Sequence, residues 1–167
     1  MKKALIVIDS NKNKEHEKLS NYLEESLEKA GWKVQSLDFK TEILEFNSFR
    51  TMADYKPELL ITLDLAGFCM KTDSEEASYN RIPCRMAHLL FSSYKSYEEI
   101  LARTINFSMY FFTGSKETAL QMQKEFPHIE HIMYLEELPA LWKLHHVEPN
   151  YLPADIFIQR MLSEMEF

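Results

Sequence analysis

The 167-residue sequence predicts an α/β domain: a single doubly wound, mostly parallel sheet of five to six strands with helices on both faces. Three observations predict it. Short apolar runs alternate along the chain with longer segments whose apolar residues recur at helical spacing. The first of these runs is continuously apolar, as a strand buried on both faces is. The three glycines, Gly31, Gly67 and Gly114, each fall at the end of an element. Strict strand–helix alternation of this kind gives a parallel sheet with right-handed crossovers.

Each element follows from its residues. ALIVID, residues 4–9, is branched and apolar, so it forms the first strand. Leu19, Tyr22, Leu23, Ser26, Leu27 and Ala30 share one helical stripe, and Gly31 stands in the helix-stopping position. WKVQSLDF, residues 32–39, alternates as a second strand, and a weaker helical pattern over residues 41–55 ends at Pro57. ELLITLDL, residues 58–65, is the third strand. A polar crossover follows, in which Thr72 and Glu75 have capping-box spacing for a short helix.

Residues 82–93 read as the fourth strand and 96–105 as the helix behind it. Residues 106–114 are the fifth strand, and 115–126 a helix with Ser115 as its N-cap. Residues 128–135 supply a sixth strand. Residues 153–167 carry Phe157, Met161, Leu162 and Met165 on one stripe, the mark of a docking helix. No repeat, low-complexity tract or linker interrupts the pattern, and the expected organisation is one domain over residues 1–167.

Composition narrows the function. With 46% hydrophobic and 27% charged residues the chain is an ordinary globular one. A formal charge of −7 and no Lys/Arg cluster argue against nucleic acid, whose phosphates require basic patches. The apolar run behind Lys2 and Lys3 ends at Asp9, too short for a secretory h-region, and no run reaches membrane-span length. A cytoplasmic protein with no membrane partner is expected. Cys69 and Cys84 form no CxxC pair, and across one strand's length they are too far apart for a disulfide.

Ligands of open α/β sheets sit beyond the carboxyl ends of the strands. That rule gathers Asp9, Ser10 and Asn11 after the first strand, Asp64 and Gly67 after the third, Ser92 after the fourth, and Gly114 and Ser115 after the fifth. Asp64 is the sharpest candidate, because it closes a run otherwise built for burial. The alternative is a strand-end aspartate that accepts hydrogen bonds from the next turn. Tyr79, Asn80, Arg81 and Arg85, on the long polar crossover, are types suited to gripping a polar ligand, or else belong to a solvated connection. Ser115 opening a helix suits an anion or is a plain cap.

The glycines exclude more than they propose. Neither a dinucleotide fingerprint nor a P-loop exists, since both need several glycines in one turn. His88 and His131 lie mid-strand and read as hydrogen-bonded sheet residues. His145 and His146 lack an acidic or cysteine partner at metal-ligand spacing, so no metal is expected. No nucleophile–base–acid set can be assembled from spacing, and the expectation leans away from an enzyme. No cofactor is indicated.

Two family resemblances extend this picture. ALIVIDSNKNKEHEKLSNYLEESLEKAGWKV and KPELLITLDLAGF resemble a response-regulator receiver domain. The resemblance implies Asp64 as phosphoacceptor, with Ser10 standing where the family has a second acidic residue and Lys116 displaced from the strand end into the helix. The whole layout, with KPELLITLDLAGF and SYNRIPCRMAHLLF, is similar to the Rossmann-like N-terminal half of GT-B-type glycosyltransferases and to small bacterial proteins with that pattern. It implies a stand-alone binding half without the catalytic one. Three functions are therefore expected to compete: a small-molecule or anion-binding module, a receiver-like or pseudo-receiver signalling domain, and a protein-interaction module whose partner is another protein.

Overall fold

All six predicted strands form, and every pairing between them is parallel. The computed structural model describes residues 1–39, 45–67, 78–143 and 152–167. The strands are β1 (Lys3–Ile8), β2 (Lys33–Asp38), β3 (Leu59–Leu63), β4 (Arg85–Leu90), β5 (Met109–Thr113) and β6 (His131–Tyr134). Their order is β2-β1-β3-β4-β5-β6, the flavodoxin-like order with one strand added, not the 3-2-1-4-5-6 order of dinucleotide-binding sheets. The chain therefore reverses direction between β1 and β3. This is the crevice where such sheets take ligands.

Strand ends are shorter than the apolar runs suggest, because Asp9, Asp64, Leu65 and Ser92 belong to the turns that leave the sheet. The helices described are α1 (Glu15–Lys29), α2 (Glu45–Tyr55), α3 (Glu98–Ala102), α4 (Lys116–Glu125), α5 (Leu138–Lys143) and α6 (Leu152–Glu164). Three depart from the sequence expectation. Helix α1 begins a turn early, where Asn13 Oδ1 accepts the Glu15 N–H at 3.0 Å. The helix expected over residues 96–105 splits into a 3₁₀ turn (Tyr94–Tyr97) and the short α3. Helix α5 was not anticipated; its six residues hold only two buried leucines, Leu138 and Leu141, too few to display a period. The capping box at Thr72 and Glu75 lies outside the described residues.

The strand period divides the core in two. Ala4, Ile6 and Ile8 of β1, with Leu59, Ile61 and Leu63 of β3, pack against α1, α5 and α6. Leu5, Val7 and Leu60 face the other way, toward Met52 of α2, Leu101 of α3 and Met122 of α4. The winding explains the split. Right-handed crossovers place the helices after β2, β4 and β5 on one face, leaving α1 alone on the other. The C-terminal α6 fills that vacancy with Phe157, Ile158, Met161 and Met165, beside Leu19, Leu23 and Leu27 of α1.

Two polar side chains cross the centre of the sheet. Thr62 and His88 are register partners on β3 and β4, with Thr62 Oγ1 2.7 Å from His88 Nδ1. Both are fully buried. The imidazole packs between Tyr79 and Phe111, with ring centroids at 5.8 and 4.9 Å. Burial pushes its pKa down to about 3, so it is neutral at ordinary pH. His88 is thus the hydrogen-bonded sheet residue its position suggested.

Candidate functional site at the carboxyl edge of the sheet

Asp64 is the junction of this edge. Strand β3 ends at Leu63, and Asp64 and Leu65 turn away in left-handed conformations, with φ of 48° and 58°. Both are non-glycine residues in a region that L-residues seldom adopt, so the surroundings must hold them there. The Asp64 N–H donates to the Leu89 carbonyl at 2.8 Å, extending the β3–β4 ladder by one residue. Its Oδ1 accepts the N–H groups of Phe91 and Ser92, each at 2.7 Å, and its Oδ2 lies 3.0 Å from His16 Nε2. One carboxylate therefore ties β3 to the turn after β4 and to the first turn of α1.

The electrostatics follow from those bonds. Burial works to raise the Asp64 pKa, but the hydrogen bonds from His16 and from the Ser92 and Phe91 amides, with the imidazole's charge, hold it below the usual carboxylate value. Asp64 is ionised at neutral pH. His16 is 2% exposed, flanked by Phe91 and edge-on to Trp142, with ring centroids at 6.4 and 6.2 Å. Its second nitrogen, Nδ1, is buried without a hydrogen-bond partner among the described residues.

Above this pair, at the β1/β3 reversal, lies a small cavity of about 170 Å³, lined by Asp9, Lys12, Asn13, His16 and Asp64 among others. Asp9 shapes its rim: Oδ1 accepts the Asn11 N–H at 3.1 Å, and its carbonyl accepts those of Lys12 and Asn13. This is an Asx turn. Ser10 faces elsewhere; its hydroxyl donates to Asp38 Oδ2 at 2.6 Å and its N–H to Oδ1 at 3.1 Å, binding β1 to the end of β2.

A larger cleft of about 450 Å³ opens beside it, between the ends of β4 and β5, and Ser92 lines both. One wall holds Phe91 and Trp142, stacked with centroids 5.0 Å apart and planes 29° apart. Ser115, at the N-cap of α4, and Thr118 and Gln121 on that helix also line the cleft, with Gln121 Nε2 donating to Glu125 Oε1 at 3.0 Å. Ser115 caps that helix as expected, its Oγ accepting the Thr118 N–H at 3.2 Å. Gly114 is glycine because a Cβ there would lie 2.7 Å from the Pro139 ring. Lys95 also lines the cleft, but its ammonium lies 2.9 Å from Glu125 Oε1 and 3.1 Å from Glu98 Oε1. Those carboxylates, Glu125 foremost, raise its pKa.

The remaining candidates lie away from both cavities. Tyr79 is fully buried, and its hydroxyl donates to the Ala66 carbonyl at 2.6 Å. The same hydroxyl explains Gly67: with φ of 75°, a Cβ there would stand 2.5 Å from Tyr79 Oη. Asn80 bonds the Arg103 carbonyl at 3.3 Å and the Ile105 N–H at 3.2 Å, so it braces the connection entering β5, at the amino edge of the sheet. Cys84 is a buried free thiol, pushed up to about 12 by burial. Among the described residues no group of three or more His, Cys, Asp or Glu side chains is placed to hold a metal. No helix among them is long and apolar enough to cross a membrane. Cys69, His145 and His146 lie outside the described residues.

His16 is the site residue that sequence reasoning missed. A signal existed: positions 16, 19, 20, 23 and 27 form one buried helical stripe, and His16 is its first member. A histidine on a stripe bound for the core requires a polar partner there.

No family model, curated protein or solved structure matches the chain.

Proposed function

We propose that the chain is a small-molecule-binding domain whose ligand lies across the carboxyl edge of the sheet, over β4 and β5, beside the β1/β3 reversal. The observation that carries this reading is the cleft of about 450 Å³. Its size falls in the range of ligand sites, and its lining mixes apolar rings with a few convergent polar groups. Asp64 does not reach into this cleft. It positions the Phe91–Ser92 turn, both residues of which line the cleft. On the glycosyltransferase-like layout, the domain is a stand-alone binding half.

A thermal-shift screen against nucleosides, nucleotides, nucleotide sugars, sugars and flavins tests the reading. A ligand at about a hundred times its Kd adds about 2.7 kcal/mol, which raises the midpoint by roughly 5–10 °C for a domain this size. Gln121 is exposed at the cleft, so Gln121→Tyr blocks it without touching the core and is expected to abolish the shift. A flat screen, or a shift untouched by Gln121→Tyr, would remove the cleft as the site.

A receiver-like reading is favoured by the strand order and by Asp64 at the end of β3. The pseudo-receiver form fits better, because both carboxylate oxygens already accept hydrogen bonds. Incubation with acetyl phosphate and Mg²⁺ is expected to leave the intact mass unchanged. A phosphoryl increment that disappears in Asp64→Asn would make the domain an active receiver.

A further inference from the structure

The geometry points to an uncharged, planar heteroaromatic ligand bearing hydroxyl groups, of the nucleoside class, as the occupant of the 450 Å³ cleft, stacked against the Phe91–Trp142 pair. This rests on the reading of the cleft as the binding site. Three observations carry it. First, Phe91 and Trp142 both line the cleft and neither is fully buried. Their ring planes lie within 29° of each other, and His16 stands edge-on to the indole at 78°, so the aromatic wall is held in place before any ligand arrives. A preset aromatic wall favours a flat π-system over an aliphatic one.

Second, the polar side chains that Ser115, Thr118 and Gln121 add to the lining are uncharged. Gln121 Nε2 donates to Glu125 Oε1 at 3.0 Å and Ser115 Oγ accepts the Thr118 N–H, which leaves the Gln121 carbonyl and the two hydroxyls to read donors and acceptors on a ring edge or a sugar. Third, the cation that lines the cleft, Lys95, is engaged by Glu98 and Glu125. A phosphate entering there meets an ammonium already neutralised, within a chain of net charge −7. Charge complementarity therefore selects the nucleoside over its phosphorylated form.

The chain has two tryptophans, and Trp32 lies away from the cleft, against Phe167 with centroids 5.1 Å apart. In Trp32→Phe, emission reports on Trp142 alone. Adenosine, guanosine, cytidine and riboflavin are titrated in turn, with ribose and AMP as controls. We expect at least one of the four to quench Trp142 saturably, ribose to leave it unchanged, and AMP to bind at least about tenfold more weakly than adenosine if adenosine is the one bound. Trp142→Leu should lose the thermal shift given by the same compound, while Trp142→Phe, which keeps a ring, loses less.

If none of the four quenches Trp142, the inference is overturned. If a sugar or another non-aromatic compound shifts the midpoint and Gln121→Tyr abolishes that shift without Trp142 quenching, the cleft remains the binding site and only the ligand class falls. AMP binding as tightly as adenosine would overturn the uncharged part.

Discussion

Asp64→Ala is expected to cost about 2–4 kcal/mol of folding stability, the cost of leaving buried donors unpaired. The substitution strips the acceptor from the Phe91 and Ser92 amides and from His16 Nε2 at once. Ser92 is exposed, so water can replace that one bond, and this keeps the figure below a full sum. Alanine also has to remain at φ of 48°, where asparagine and aspartate are the better-tolerated non-glycine residues. Asp64→Asn is therefore the informative control. It keeps an acceptor at Oδ1 and tolerates the left-handed backbone, and should cost about 1 kcal/mol, a single weakened hydrogen bond. Urea denaturation of both variants at pH 7 measures the difference. A loss below about 0.5 kcal/mol in Asp64→Ala, the range of an ordinary surface substitution, would mean that the carboxylate does not organise this edge.

Acid should weaken the fold well before Asp64 titrates, through His88. The folded-state pKa of His88, about 3, lies below its ordinary 6.5, so the unfolded chain binds the proton more readily. The resulting stability is present above pH 6.5 and is lost as pH falls toward 3, at about 1.4 kcal/mol per pH unit. Between pH 7 and 4.5 this amounts to roughly 2–3 kcal/mol. The Asp64 contribution has the same sign but is lost only below the ordinary value of 3.8. The Thr62→Val/His88→Leu double variant removes both members of the buried pair together, which leaves no orphaned hydroxyl. Its unfolding free energy, compared with that of the unaltered chain at the two pH values, isolates the imidazole. If both chains lose the same stability on acidification, His88 is not the acid-sensitive group.

Most of the architecture was legible because parallel strands buried on both faces leave an unmistakable apolar run, and Leu59–Leu63 and Met109–Thr113 are buried at every position. Ser115 was legible because an N-cap is a local event, complete within four residues. The site was legible only in part. Asp64 accepts hydrogen bonds at a strand end, the structural alternative that its position offered. The donors, however, come from the turn after β4 and from α1, residues 27, 28 and 48 positions away. Tyr79 and Asn80, adjacent in sequence, serve the core and the opposite edge of the sheet.

The sequence by itself determined the α/β class with five to six strands, the glycine stops and the absence of dinucleotide and P-loop motifs. These depend on side-chain period and local backbone chemistry, which are written along the chain. Only the tertiary structure decided the strand order, the face covered by α6, the pairing of His16 with Asp64 and the aromatic wall of Phe91 and Trp142. Each of those joins residues far apart in sequence, and which of them meet is settled when the crossovers fold back on the sheet to bury it.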